Sequence, residues 1–247
     1  PLQVDGDRND PVGRLSGRSM DPASRATSWF ADALVRAGNE TYPELGPEVE
    51  LGQPGLVIAS QWSAPLSELV TIMLRDSDNT LAEVIAREVA LARGDQSIEQ
   101  ALLDSVGWAE GRHGPLRIQD GSGLSDLTRI PSSAIIELLI EINQDEDLEL
   151  IRAALPVAAE TGSLQRRFVD AGSSVAGRVW AKTGSIQETR SLAGYLEADD
   201  GSTLVFSVNA TGPGVSDRTR NNLDALVADF ARCGVELADW VPSDDDS

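Results

Sequence analysis

The chain has 247 residues and a formal net charge of −20, from 40 acidic and 20 basic residues. This acidic balance argues against nucleic acid and anionic membranes as partners, since both bind basic patches. Cys233 is the only cysteine, which excludes an internal disulfide and a cysteine-rich metal site, while 41% hydrophobic residues are enough for a sizeable core.

The first two thirds of the chain have helical periodicity, interrupted by turn-rich segments. Residues 1–27 have no clear period and are expected to form a loop or the end of a preceding domain. Apolar residues at intervals of three and four then predict helices at 28–38, at 65–74 and from about 79 to 93. Ser63 is the expected cap of the second of these and Gly94 the expected end of the third. Residues 76–79 should form a break, and 115–130 a short strand and an ordered loop.

Further helices are predicted at 131–143, 147–154 and 163–170, and the pattern then changes from helical to strand-like. Three strand-like runs follow at 175–186, 191–197 and 203–210, with a tight turn at 199–201 between the second and the third. A final helix at 216–233 precedes an acidic tail. A helical body followed by antiparallel strands and a closing helix predicts an α+β fold.

The first motif that can carry chemistry is Ser77-Asp78-Asn79, at the junction of two predicted helices. Side chains two residues apart at such a junction can point into one cleft, which makes Ser77 and Asn79 candidate site residues. The same three residue types are also the favoured helix caps. A purely structural N-cap is therefore the alternative interpretation.

The second motif is Lys182-Thr183-Gly184-Ser185, on a predicted strand, and Lys182 is the only lysine among 20 basic residues. A lone lysine in so arginine-rich a chain either meets a need for a compact ammonium group or is a surface residue that occurs there by chance. Adjacent strand residues face opposite sides, so only one of Lys182 and Thr183 can point directly at a ligand. Gly184 has no side chain, which lets a substrate peptide lie along this strand as an added strand. The alternative is an edge strand protected by a lysine.

Five segments resemble, in order, the low-molecular-mass class C penicillin-binding proteins, which form the D-Ala-D-Ala carboxypeptidase/endopeptidase family. They are SDNTLAEVIARE, DGSGLS, LPVAAETGSLQRRF, AKTGS and RSLAGYL, within about residues 28–232. The resemblance implies an α+β penicillin-binding and serine β-lactamase-like fold, with a helical body and an antiparallel sheet. It also implies acyl transfer, in which a serine attacks the D-Ala-D-Ala carbonyl of a peptidoglycan stem peptide and water releases the acyl-enzyme. β-Lactams acylate the same serine.

The resemblance also assigns roles to individual residues. Ser77 would relay a proton to the leaving amine, and Asn79 would hydrogen-bond the substrate amide. Lys182 would place positive charge near Ser77 and the substrate carboxylate. Thr183 belongs to the same motif, with its side chain directed away from Lys182. Ser185 would offer its backbone N–H to an oxyanion hole and its hydroxyl to the terminal carboxylate.

The third motif of this family, Ser-x-x-Lys, is absent, because the only lysine follows Val179 at that spacing. In the family this motif lies near the mature N-terminus, and inserted domains separate it from the Ser-x-Asn motif. The resemblance therefore predicts that 1–55 match the end of such domains, that 56–235 are the C-terminal part of the peptidase domain without its first strands and nucleophile helix, and that 236–247 form a tail. The favoured interpretation is a fragment or one piece of a cleaved enzyme. The alternative is a degenerate relative that binds peptidoglycan or penicillin without cleaving it.

Other candidate residues carry weaker signals. After DGSGLS the family often has an arginine that binds the free end of the third residue of the stem peptide, whereas Asp126 stands here, with Arg129 close enough in sequence to replace it. Asp120 and Ser122 are either turn residues or part of the cleft wall. His113 is the only histidine, and its glycine-flanked position favours a surface loop over a catalytic triad.

The resemblance also implies the partners of the protein. Peptidoglycan stem peptides and β-lactam antibiotics are the expected ligands, and the missing N-terminal portion of the same protein is the expected macromolecular partner. The family uses no cofactor, and the chain has too few histidines and cysteines for a zinc site. An extracytoplasmic location follows from the substrate of the family.

Overall fold

A computed structural model describes residues 5–10, 16–39, 56–57, 59–95, 97–107, 116–170 and 173–239. The chain divides into two compact units, Pro1–Ser63 and Ala64–Ser247. His113 and the end of the acidic tail lie outside the described residues, and the assignment of 1–55 to inserted domains stays a prediction. Within the described ranges, no helix has the length and apolar character needed to cross a membrane.

The first unit contains helix α1 (Pro22–Arg36), which begins earlier than the predicted residue 28. Asp21 caps it by accepting a hydrogen bond from the Ser24 amide at 3.1 Å. Pro22 occupies the first helical position, where the missing N–H would have had no partner in the helix. The prediction of a loop up to residue 27 was therefore wrong, because Asp21-Pro22 is a helix start.

The helices described in the second unit are, in chain order, α2 (Leu66–Asp76), α3 (Asn79–Arg93), α4 (Ile98–Ser105), α5 (Ser132–Gln144), α6 (Glu149–Ala153) and α7 (Asp217–Cys233). All except α4, which was not predicted, confirm predicted helices. The break at Ser77 and Asp78 and the end of α3 at Gly94, in the left-handed region, are also confirmed. Ser63 is not the cap of α2, since Pro65 occupies that position and provides no side-chain hydrogen bond.

The helix predicted at 163–170 does not form. A 3-10 turn at Gly162–Leu164 leads into irregular backbone, and Phe168 has a φ of 58°. An α-helix of L-residues does not continue through the left-handed region. The helix-like spacing of apolar residues in 163–170 reflects packing instead, because Leu164 and Phe168 are both buried in the main core.

The strands β1 (Val179–Ile186), β2 (Thr189–Glu197) and β3 (Thr203–Thr211) form an antiparallel sheet in the order β1-β2-β3. They confirm the three predicted strands, although a 3-10 turn at Ser173–Val175 occupies the predicted start of the first one. The strand predicted within 115–130 is reduced to an isolated bridge between Arg117 and Arg129. Helices and an antiparallel sheet together confirm the α+β fold class.

The sheet lies between α7 and α5. Alternate residues of β1 face opposite sides, and Val179 and Ala181 pack against α7 in the main core. On the other side, buried Tyr195 packs with Leu139 of α5 and donates a 2.6 Å hydrogen bond to its carbonyl oxygen. Lys182 therefore projects from the face of the sheet opposite to α7.

The turn between β2 and β3 is tied to the end of α7 by Asp200. The Asp200 carboxylate accepts hydrogen bonds from the Ser202 hydroxyl and amide and from the Val235 amide. The Ser202 hydroxyl, followed by the Val235 amide, lowers the pKa of Asp200 from 3.8 to about 2. Gly201 takes the left-handed conformation that the turn needs.

Breaking the buried ion pair between Arg167 and Asp224 should strongly destabilise the protein. The Arg167 side chain is 9% exposed and that of Asp224 7%, so Arg167→Ala leaves a carboxylate buried without its partner. We expect the free energy of unfolding in urea to fall by about 3–5 kcal/mol. Arg232→Ala removes the exposed pair with Asp229 on the same helix and should cost less than about 1 kcal/mol. Equal losses in the two variants would show that burial does not set the strength of the Arg167–Asp224 pair.

The Asp200 hydrogen bonds should stabilise the protein in a pH-dependent way. A carboxyl group whose pKa is lowered on folding stabilises above its unfolded pKa and loses that effect as the pH falls through its folded pKa. We expect Asp200→Ala to lower the thermal midpoint near neutral pH, and the difference from wild type to shrink between pH 3.8 and about 2. Thermal unfolding followed by circular dichroism at a series of pH values measures it. A constant difference across that range would show that the carboxylate charge contributes nothing.

Candidate active site

The junction between α2 and α3 contains one helix-capping residue, Asp78, with a candidate site residue on each side of it. Asp78 caps α3, because its Oδ1 accepts the amides of Thr80 at 2.9 Å and Leu81 at 3.0 Å. Ser77 takes the left-handed conformation, with a φ of 56°, and ends α2. Asn79 is the half-buried first residue of α3. The N-cap interpretation therefore holds for Asp78 alone and leaves the side chains of Ser77 and Asn79 for other roles.

The two motifs meet through Lys182. Its Nζ lies 2.6 Å from Ser77 Oγ and 2.8 Å from the carbonyl oxygen of Thr183, although Ser77 and Lys182 are 105 residues apart in sequence. An ammonium group only donates hydrogen bonds, so Ser77 Oγ is the acceptor in this contact. The hydroxyl proton of Ser77 is then left for donation to another acceptor.

Among the residues that the structure describes, backbone pairing along the outer edge of β1 extends only as far as Ala181. Ala181 donates its amide to the Pro156 carbonyl at 3.0 Å, and the Val179 carbonyl accepts the Ala158 amide at 2.9 Å. Backbone groups of alternate residues point to the same edge of an antiparallel strand, so those of Thr183 and Ser185 also point outward. The amide of Ser185 has no hydrogen-bond partner in the part of the chain that the structure describes. This end of β1 can accept an extended peptide as a further strand.

The side chains of the second motif lie on alternate faces of β1. Thr183 Oγ1 donates a 3.0 Å hydrogen bond to Ser163 Oγ, on the face opposite to Lys182. Ser185 is exposed on the same face as Thr183. A Cβ at Gly184 would lie 2.2 Å from Ser191 Oγ on β2, so a larger residue there would displace the Ser191 hydroxyl. The ligand approach predicted for Gly184 stays a prediction.

The loop that contains Asp120 and Ser122 is built around the Asp120 carboxylate. The carboxylate accepts hydrogen bonds from the Ser122 and Thr128 hydroxyls and from the Leu124 and Ser125 amides. Burial alone would raise the pKa of Asp120, but these hydrogen bonds outweigh it and hold the pKa below the ordinary 3.8. Both residues therefore act as turn residues, and their place in a cleft wall stays a prediction.

This loop is docked on α3, the helix that begins at Asn79. Glu83 Oε1 accepts the amides of Gly121 and Ser122, each at 3.0 Å. A Cβ at Gly121 would lie 2.6 Å from the Cβ of Ala86, so only glycine allows this approach. Sequence reasoning missed Glu83, although it lies within the SDNTLAEV segment, because its partners are 38 and 39 residues away.

Asp126 and Arg129 are both exposed. Arg129 donates from Nη1 to the carbonyl oxygens of Asp126 at 2.6 Å and Thr128 at 2.7 Å. Its guanidinium group is thus engaged with its own loop. Among the described residues, no recorded contact brings either side chain to Ser77 or Lys182, so their role in substrate choice stays a prediction.

A separate cavity of about 630 Å³ lies beside α5 and α6, and Trp180 and Arg152 are among its lining residues. None of the predicted site residues lines it. Across the described ranges, no cluster of three or more histidine, cysteine, aspartate or glutamate side chains could hold a metal ion.

Comparisons with known proteins agree with this geometry. The profile of the D-Ala-D-Ala carboxypeptidase 3 (S13) family matches residues 2–232. The carboxypeptidase DacB of Mycolicibacterium smegmatis is 36% identical over 94% of this chain and 51% of its own length. The D-alanyl-D-alanine carboxypeptidase of an Actinomadura species is 29% identical over 79% of this chain and 38% of its own length. The chain thus spans about half the length, or less, of these curated relatives.

Solved structures share the fold. Penicillin binding protein 4 from Haemophilus influenzae, in complex with a β-lactam, has a TM-score of 0.70 and 25% identity, over 87% of this chain and 52% of that one. The TLA-3 extended-spectrum β-lactamase has a TM-score of 0.51 and 13% identity, over 66% of this chain and 62% of that one. These likenesses confirm the predicted penicillin-binding and serine β-lactamase-like fold.

The docked loop should depend on the Asp120 carboxylate. In Asp120→Ala, we expect hydrogen exchange of the Leu124 and Ser125 amides to become at least about tenfold faster, because each loses a charge-assisted hydrogen bond. Hydrogen–deuterium exchange resolved by NMR measures this rate. Asp126→Ala is the matched control, since it removes an exposed carboxylate from the same loop. Similar exchange in wild type and Asp120→Ala would contradict the role of Asp120 as the centre of the loop.

Proposed function

Because the chain belongs to the D-Ala-D-Ala carboxypeptidase 3 (S13) family, we propose that it is part of a serine-type D-Ala-D-Ala carboxypeptidase/endopeptidase. This enzyme acts on peptidoglycan stem peptides by acyl-enzyme chemistry and is acylated by β-lactams. The observation that carries the proposal is the 2.6 Å hydrogen bond from Lys182 to Ser77, which joins the two family motifs in one site. Action on the cell wall places the enzyme outside the cytoplasm.

Ser77 relays a proton to the leaving D-alanine, giving up its hydroxyl proton to the departing amine and taking up the proton that the attacking serine loses. When the peptide carbon–nitrogen bond breaks, the departing amine takes up a proton, and a positioned hydroxyl lowers the barrier to that step. Ser77 suits this role because its oxygen accepts from Lys182 while its own proton stays available. The ammonium group of Lys182 also stabilises negative charge on Ser77 and on the substrate carboxylate, as charge-assisted hydrogen bonds do.

The substrate peptide lies along the open end of β1, from Thr183 to Ile186. The outward amide of Ser185 is one donor of the oxyanion hole, and donors of this kind contribute about 3 kcal/mol each in other enzymes. The Ser185 hydroxyl binds the terminal carboxylate, and the Asn79 side chain binds the substrate amide. Lys182 approaches from the other face of the strand, which the alternation of β1 side chains supports.

The nucleophilic serine and its lysine lie outside these 247 residues, in the rest of the same protein. Lys182 is the only lysine of the chain, and its ammonium group is already held by Ser77. Lys182 does not complete a Ser-x-x-Lys motif, because Val179 stands three residues before it. The sheet supports a further contribution from outside, since β3 pairs with β2 on one edge and with no other described strand on its second edge.

The second candidate function is a non-catalytic protein that binds peptidoglycan or penicillin. The absence of Ser-x-x-Lys favours it, because the rest of the cleft alone binds a substrate without cleaving it. A fluorescent penicillin added to the full-length protein discriminates between the two functions. Covalent label on a serine outside this chain supports the enzyme. Reversible binding of D-Ala-D-Ala peptides with no covalent label supports the binding protein.

Removing the lone ammonium group should nearly abolish acylation. In full-length Lys182→Ala, we expect the rate of labelling by a fluorescent penicillin to fall by about 10²- to 10³-fold, the effect of losing one electrostatic donor at a reacting centre. Arg232→Ala, which removes a cation from the exposed surface of α7, controls for the change in net charge. Labelling of Lys182→Ala at the wild-type rate would overturn the assignment of this site.

A further inference from the structure

We propose that residues 161–164, here called the bracket, set the distance between Ser77 and Lys182, with Gly162 and Ser163 as the positioning residues. Neither residue has a recorded contact with Ser77, Asn79 or Lys182. Gly162 packs against the residues just before Ser77, and Ser163 contacts Thr183, the neighbour of Lys182. The inference rests on the proposed function for its effect on catalysis, but the geometry that it predicts is measured independently.

Gly162 lies against the last turn of α2, immediately before Ser77. A Cβ added at Gly162 would lie 2.2 Å from the Arg75 carbonyl oxygen and 2.9 Å from the Arg75 Cγ. Gly162 also has a φ of 54°, which disfavours any other L-residue there. Gly162 therefore packs directly against the backbone of Arg75, two residues before Ser77, at a distance that only glycine permits.

Ser163 holds the other motif. Its Oγ accepts the 3.0 Å hydrogen bond from Thr183 Oγ1, and Thr183 is the residue that follows Lys182. The carbonyl of Thr183 in turn accepts from Lys182 Nζ at 2.8 Å. The position of β1 at Lys182 is thus fixed on both sides of the strand, by Ser163 on one face and by the ammonium contacts on the other.

The bracket is anchored to the rest of the second unit by burial and by hydrogen bonds. Leu164 is fully buried in the main core, and the hydroxyl of Thr161 accepts the Val157 amide at 2.9 Å. A few residues later, Arg167 forms two hydrogen bonds from Nε and one from Nη2 to the buried carboxylate of Asp224 on α7. The segment is therefore anchored in the core and in α7, while Gly162 and Ser163 face the two motifs.

These contacts close a ring. It runs from Ser77 through Lys182 and Thr183 to Ser163, and from Gly162 back to the turn that carries Ser77. A hydrogen bond of 2.6 Å between two elements survives only where both elements are held, and misplacement of reacting groups by about 1 Å can cost 10²-fold in rate. The ring explains why a segment with no group in the proposed chemistry contains a glycine and a serine at these positions.

The test compares two glycines that both have a left-handed backbone conformation. Gly162 has another residue packed against it, and Gly201 does not. Gly162→Ala places a methyl group against the Arg75 carbonyl, whereas Gly201→Ala, at a φ of 80°, meets no atom within 4 Å. Both variants carry the left-handed strain. In the full-length protein we expect Gly162→Ala to be acylated by a fluorescent penicillin about 10²-fold more slowly, while Gly201→Ala stays within about twofold of wild type. The loss should lie in the acylation rate constant and not in the reversible binding constant.

Crystal structures of both variants separate this inference from the proposed function. We expect the distance from Ser77 Oγ to Lys182 Nζ to increase in Gly162→Ala only. If wild type is not acylated, the proposed function fails, and this distance alone decides the inference. An unchanged distance, or equal acylation of the two glycine variants, would overturn it.

A second pair of variants decides the matter if Gly162→Ala does not fold. Ser163→Ala removes the acceptor of the Thr183 hydroxyl, and Ser163→Thr keeps a hydroxyl at that position. We expect a lengthened Ser77–Lys182 contact and roughly tenfold slower acylation in Ser163→Ala, both restored in Ser163→Thr. The wild-type distance and rate in Ser163→Ala would show that the bracket does not position the site.

Discussion

The hydrogen bond from the Lys182 ammonium to the Ser77 hydroxyl depends on both the helices and the sheet of the second unit, because each of them positions one of its two partners. The α2 helix must end at Ser77 in a left-handed conformation, and Asp78 must start α3 at the next residue, so that the serine stands at a corner. The β1 strand must present Lys182 on the face that α7 does not cover. Each of these conditions on α2, α3 and β1 is local. Because the Ser77–Lys182 hydrogen bond forms only when all three are met, it depends on how the helices pack on the sheet.

Signals confined to a few neighbouring residues were enough to predict much of the fold. The strands β2 and β3 and the turn at Gly201 follow from alternation and turn chemistry, and α3 and α7 follow from their apolar stripes and ends. The sequence pattern alone left both motifs ambiguous between structural and chemical roles. Only the order of five family-like segments predicted that Ser77 and Lys182 share a site. Strand alternation did predict correctly that Thr183 and Lys182 face opposite sides.

The parts that sequence reasoning missed depend on distant partners. The spacing of Leu164 and Phe168 fits a helix as well as it fits an irregular segment with two buried anchors, and only the contact of Arg167 with Asp224, 57 residues away, favours the latter. Glu83 and Ser163 escaped notice for the same reason, since their partners are supplied by other elements. The Asp21-Pro22 helix start is a local signal, but no apolar period accompanies it before residue 28, so the hydrophobic pattern predicts a loop there.

The two edges of the sheet have different consequences for the proposed enzyme. The outer edge of β1 is closed by the Pro156–Ala158 segment up to Ala181 and open beyond it, so a peptide that adds there ends beside Lys182 and Ser77. The second edge of β3 has no described strand beside it, and it lies two strands away from the motifs. A segment that pairs with β3 therefore extends the sheet without blocking the peptide. The two edges are thus independent of each other, because β2 and β3 lie between the motif on β1 and any segment added beyond β3.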